Sequence, residues 1–206
     1  MDQLELLKKD WKKQESSLPK LSREALTKLI YKKSSSIVKW IFIISVLELV
    51  IPNLPYLFMD HGKTLKFSEE LGLTNFFSIF YIAFYAIIIF FIFKFYKNYR
   101  SISANSNPKE LMQNIIKTRK TVKYYIWFNL TMVPIIASVV FYKTFNSPDF
   151  LEKLPEDTSM FMVWSIAFVF ILIMIGLVWL LYKLIYGILL NKLNKNYKEL
   201  VSNGVA

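Results

Sequence analysis

The sequence predicts an all-α integral membrane protein. It has four transmembrane helices, arranged as two parallel repeated hairpins in a bundle, with a cytosolic amphipathic helix at the N-terminus. Three observations predict this. Apolar residues form 54% of the 206-residue chain, and they gather in four long blocks instead of spreading in amphipathic patterns. Lys and Arg alternate between the connecting segments, rich in one set and poor in the other. Short words recur at a constant offset between the two halves.

The expected division is a cytosolic N-terminal region 1–36, a transmembrane domain 37–190 and a cytosolic C-terminal helix or tail 191–206. Within residues 2–13, Leu4, Leu7 and Trp11 share one helical face, and Lys8, Lys9, Lys12 and Lys13 cover much of the rest. Two readings stand: a helix lying on the membrane surface, or a docking face for a cytosolic protein partner. After the break at SSLP, Ser22 is placed to cap a helix that runs through REALTKLIYKK into the first span. A cleavable signal peptide is not expected, because 36 mostly polar residues precede the first apolar run.

Span one is expected over about 37–59, uncharged from Trp40 to Met59 except for Glu48 near its middle. Twenty helical residues cover about 30 Å, the hydrocarbon thickness. Pro52 and Pro55 predict a kink or an early helix end. A polar loop over 60–74 follows, with one helical turn at SEEL. Span two, about 75–96, closes on Lys94, Lys97 and Arg100.

The segment SISANSNP reads as a turn, with Asn107 and Pro108 as N-cap and first helical residue. That helix leads into span three, about 123–145, which contains Asn129, Thr131 and Pro134. Residues 146–158 read as an acidic loop. Span four, about 159–183, continues past the membrane, because Ile185, Leu189, Leu193 and Tyr197 recur at i+4.

Lys and Arg number nine in 1–36, six in 98–123 and four in 183–206, against two in 60–74 and one in 146–158. The positive-inside rule then puts both termini and the middle loop in the cytoplasm of a bacterial inner membrane. Trp40, Tyr124, Tyr125, Trp127, Trp164, Trp179 and Tyr182 fit interfacial belts.

Val38-Lys39-Trp40 and Val122-Lys123-Tyr124 lie 84 residues apart, as do Ile82-Ala83-Phe84 and Ile166-Ala167-Phe168. Lys94-x-x-Lys97-Asn98-Tyr99-Arg100 returns as Lys192-x-x-Lys195-Asn196-Tyr197-Lys198, fourteen residues further out than that offset. Both halves start and end inside, so the repeats are parallel, about an axis along the membrane normal. A homodimer of such hairpins is a further expectation.

With no cysteine, the chain has no disulfide, thiolate nucleophile or zinc ribbon. No phosphate-binding glycine loop occurs. No catalytic, cofactor or metal site is read. His61 beside Asp60 is expected to be a solvated loop residue, and the acids at 69–70 and 149–157 lack calcium-loop spacing. The expected partners are the lipid bilayer, with anionic headgroups at Lys117, Arg119, Lys120 and Lys123, and a cytosolic protein, with no nucleic acid.

Glu48 is the one acid inside a span. An ionised group at the centre of a membrane helix costs about 2.5–3.5 kcal/mol, so Glu48 should face the bundle interior and find partners. Measured along the repeat, Asn129 and Thr131 lie within a turn of its depth, and Ser45 lies one turn below it. These four form the candidate polar site. It can serve a proton or cation relay, anchor a ligand, or fix helix packing.

The opening LELLKKDWKKQ and the span entry KKSSSIVKWIFIIS resemble a group of uncharacterised bacterial four-span membrane proteins, some labelled beta-carotene monooxygenase. That label implies iron held by several histidines, whereas this chain has one, so its residues argue against the name. The LxxLKxxW-like opening also resembles membrane proteins that accompany sigma factors, which implies an anti-sigma or sensor role. The function expected from all this is a non-enzymatic membrane-anchored regulator or scaffold. The alternative is a small transporter or channel component using Glu48, and the third is a carotenoid or lipid enzyme.

Overall fold

The computed structural model describes residues 23–58, 62–104 and 107–202. The expected docking face of Leu4, Leu7 and Trp11, the Ser22 cap and His61 lie outside them. The described chain is all helical. In order it forms α1 (Arg23–Val50), α2 (Gly62–Glu70), α3 (Thr74–Ala104), α4 (Pro108–Phe145), α5 (Pro148–Lys153) and α6 (Met160–Ser202). Four of these, α1, α3, α4 and α6, are long and apolar enough to cross a membrane.

The helix ends follow from local chemistry. Pro52 cannot donate to the carbonyl of Glu48, and α1 stops at Val50. Two 3-10 turns, Ile51–Asn53 and Pro55–Leu57, carry the chain on from there. The expected single turn at SEEL is the end of a longer helix, α2. It closes with Leu73 N–H donating to Ser68 C=O and Gly72 N–H to Glu69 C=O. Gly72 has φ +63°, the left-handed conformation this paired cap requires. Asn107 caps α4 by accepting from Lys109 N–H at 3.1 Å, with Pro108 in the first turn. Residues 101–104, read as a turn, are the last turn of α3. The acidic loop contains α5, whose cap is Ser147.

The four long helices run alternately up and down. One end of the bundle gathers the start of α1, the end of α3, the start of α4 and the end of α6. We call it the stem. The other carries the connections 51–73 and 146–159, and we call it the hairpin end. Pro134 leaves α4 continuous, and α6 is one helix of 43 residues, about 64 Å. The extension of span four past its apolar run is therefore real.

The packed core lies in the stem. Ile30, Val38, Ile41, Phe95, Ile102, Leu111, Ile115, Val122, Leu193 and Leu200 are fully buried in one cluster. Towards the hairpin end the helices present exposed apolar faces, such as Ile82 at 72% and Phe161 at 82%. A lipid-facing surface has that character, since lipid tails are as apolar as leucine.

The repeat appears in the burial pattern. Ser34, Val38 and Ile41 on α1 are buried, and so are Thr118, Val122 and Tyr125 on α4, each 84 residues later. On the second helices the equivalence runs at a different offset. Ile88, Phe95, Asn98 and Ile102 on α3 match Tyr186, Leu193, Asn196 and Leu200 on α6, each 98 residues later (186 − 88, 193 − 95, 196 − 98, 200 − 102). The Lys-Asn-Tyr words are thus structural equivalents. The Ile-Ala-Phe words are not: Ala167 is buried and Ala83 exposed. The stem is repeated, and the second hairpin is the longer one above it.

Candidate functional site

Glu48 stands half-buried in the last turn of α1, and its partner comes from α4. Tyr125 donates its hydroxyl to Glu48 Oε2 at 2.6 Å. The length is that of a short O–H···O hydrogen bond. Tyr125 is 2% exposed and was read from sequence as an interfacial belt residue. Instead it lies inside, its ring in edge contact with Phe91 and Phe95, both at 5.5 Å between centroids. Trp40, Tyr124, Trp127 and Trp179 of the same belt do lie exposed.

Two further tyrosines from α6 complete an aromatic cage. Tyr182 and Tyr186 meet the Tyr125 ring at 6.1 and 6.0 Å and each other at 5.8 Å. Their i, i+4 spacing puts both on the face of α6 turned to α4. Tyr186 is fully buried and its hydroxyl interacts with the Glu48 carboxylate, but it makes no hydrogen bond of good geometry. A buried hydroxyl without a well-formed hydrogen bond is unusual.

The depth of this cage differs from the sequence expectation. Phe95 and Tyr182, which touch Tyr125, adjoin Lys94 and Lys183, and Lys123 precedes Tyr125 by two residues. Glu48 therefore sits level with the basic ends of the uncharged runs in α3, α4 and α6, not with their midpoints. The reason is register. The first part of the α1 apolar run, including Val38 and Ile41, packs into the stem core.

Above Glu48, towards the hairpin end, a cavity of about 340 Å³ opens between α1, α3, α4 and α6. Glu48, Asn53, Tyr56, Tyr85, Asn129 and Tyr182 supply its polar lining, with Phe84 and Ile88 among its apolar walls. Tyr85 donates to Asn53 Oδ1 at 2.6 Å, and Asn53 Nδ2 donates to Leu49 C=O at 2.6 Å. Asn129 Nδ2 donates to Tyr125 C=O at 2.9 Å, which leaves the amide oxygen as an acceptor. The Pro52 ring also leaves the Glu48 carbonyl without its helical donor. Among the described residues, no Lys or Arg lines the cavity. The wall is thus rich in oxygen acceptors and aromatic faces around one carboxylate. That is the chemistry of a site for a small cation or a hydrogen-bond donor.

The four expected site residues separate here. Glu48 and Asn129 share the cavity. Ser45 is buried one turn below and bonds Phe42 C=O at 2.7 Å. Thr131 is exposed and bonds Trp127 C=O at 2.8 Å, away from the cavity. Tyr125, Tyr182, Tyr186, Asn53 and Tyr85 were missed. The available signal is the pair of tyrosines at i, i+4, Tyr182 and Tyr186, flanking Lys183 where the uncharged run of α6 ends. Among the described residues, no group of three His, Cys, Asp or Glu is placed to hold a metal ion.

The chain belongs to the family described as a domain of unknown function, DUF8845, whose model matches residues 24–203. This match carries no link to a carotenoid oxygenase. No curated protein and no solved structure matches the chain.

Proposed function

We propose that this DUF8845 member is a non-enzymatic multi-pass membrane protein that takes a small cationic solute into its bundle, as a transporter or channel component. Glu48 is the counter-charge. The observation that carries this reading is the acceptor-rich cavity that ends on the half-buried Glu48 carboxylate, with no Lys or Arg among its described lining residues. Tyr125 holds the carboxylate in place. Tyr56, Tyr85 and Tyr182 make the cavity lining aromatic, which suits a cation. In a bacterial inner membrane with both termini inside, the solute would enter from the outer side, past Tyr56, and meet Glu48 close to the cytosolic interface.

Uptake of labelled methylammonium into proteoliposomes tests this. The intact chain is expected to raise uptake above empty liposomes, and Glu48→Gln to abolish the increment. Equal uptake by Glu48→Gln, or none above empty liposomes across a series of small amines, would overturn the reading.

A second reading, a membrane-anchored scaffold for a cytosolic partner, draws on one observation. The tightest packing of the molecule lies in the stem, where Leu193 and Leu200 are fully buried well beyond Lys183. Its test is a crosslinking pull-down after deletion of residues 1–20. An unchanged partner set would count against it.

A further inference from the structure

On the flank of the stem formed by α1 and α6, a second cavity of about 510 Å³ is lined by Lys32, Lys33, Lys192 and Lys195, with Leu29 and Ile37. Ser36 and Asn196 complete the lining, and no acid is among these residues. All four lysines are exposed. The two helices are pinned beside the groove by Asn196 Nδ2, which donates to Ser34 Oγ at 2.9 Å, both residues being buried. The groove is therefore built on a rigid part of the fold.

Its surroundings differ from those of the other basic surfaces. On α3 and α4, Lys94, Lys97, Arg100, Lys117, Lys120 and Lys123 crowd the same stretch of the stem. On the α1–α6 side, helical spacing from the groove leads through Trp40 on one wall and Ile188 and Ile185 on the other. Trp40 and Ile188 are each 54% exposed, and Ile185 is 37% exposed. An apolar seam thus descends on this side from the lipid-facing part of the bundle to a floor of four ammonium groups.

From this continuity we infer that the seam and groove hold one anionic phospholipid of the cytosolic leaflet. Its acyl chains lie along Trp40 and Ile188, and its phosphate is received by Lys32, Lys33, Lys192 and Lys195. Charge complementarity selects the headgroup, since four cations meet no acid among the described lining residues. The apolar seam selects a lipid over a free anion, because a bare phosphate gains nothing from Trp40 or Ile188.

Native mass spectrometry of the full chain in neutral detergent tests the assignment by titration with phosphatidylglycerol. One lipid is expected to stay bound to the intact chain, and phosphatidylcholine of the same chains is not. Substituting Lys32, Lys33, Lys192 and Lys195 together by Gln should weaken retention by at least about tenfold. Substituting the same four by Arg should preserve it and shows that the stem tolerates change there. Changing Lys94, Lys97, Arg100 and Lys109, exposed cations of the stem away from the groove, to Gln should leave retention within about twofold of the intact chain. Equal losses from both Gln sets would mean diffuse surface charge and overturn the site. Equal retention of phosphatidylcholine, or displacement of the lipid by millimolar inorganic phosphate, would overturn the lipid assignment.

Discussion

Tyr125 donates its hydroxyl to the Glu48 carboxylate, 77 residues away in sequence, at 2.6 Å and so ties α4 to α1. The bond joins the first helices of the two repeated hairpins at the top of the stem. It also orients the charge at the foot of the polar cavity.

Tyr125→Phe removes this donor and leaves a half-buried carboxylate with fewer partners. A hydrogen bond to a charged group contributes about 1.5–3 kcal/mol, and an abandoned buried acceptor costs a similar amount. Thermal unfolding in detergent is expected to show a loss in that range. Glu48→Gln, which keeps an acceptor, should lose less. Equal stability of Tyr125→Phe and the intact chain would show that the bond contributes nothing.

The two stem asparagines, 98 residues apart, should respond in opposite ways. Asn196 donates to Ser34, whereas Asn98 Nδ2 is buried with no hydrogen-bond partner among the described residues. Asn196→Leu is expected to destabilise by about 1–3 kcal/mol, since Ser34 Oγ loses its donor. Asn98→Leu removes an unsatisfied group and should be neutral or stabilising. Chemical denaturation of both variants decides this, and equal losses would contradict the assigned difference.

Truncation should be costly in the stem and cheap above it. Leu193→Ala opens a cavity at a fully buried position and should cost about 2–5 kcal/mol. Ile82→Ala, at 72% exposure, should change stability by about 0.5 kcal/mol or less in detergent. Similar losses at both positions would mean that the packed core extends through the whole bundle.

The absence of cysteine makes the topology directly testable. With both termini inside, a cysteine placed at Asn146 should react in intact cells with a membrane-impermeant thiol reagent. One placed at Lys198 should react only after permeabilisation. The reverse pattern would invert the orientation, and with it the leaflet that supplies the lipid.

Much of the fold was legible because it is written in runs. Proline at 52 and 55 ended α1 where its missing donors demand, and Asn107 capped α4 through its own side chain. The i+4 pattern from Ile185 to Tyr197 announced the long end of α6. The site was half legible. A lone acid in an apolar run has to find a partner, so Glu48 was visible. Tyr125 was not, because a tyrosine beside Lys123 looks the same whether it faces headgroups or a carboxylate.

By itself the sequence determined four apolar helices and their alternating charge, and its recurring words pointed to two repeated hairpins. Each of these is read along the chain, from the length of an apolar run, the charge between runs or a word that recurs. Only the tertiary structure decided the relative heights of those helices. Apolar composition is indifferent to a slide of one helix along another, so register comes from side-chain packing between them. That packing buries Val38 and Ile41 in the stem, puts Phe95 and Tyr182 against Tyr125, and holds Asn196 to Ser34. The depth of Glu48, its tyrosine cage and the lysine groove all follow from it.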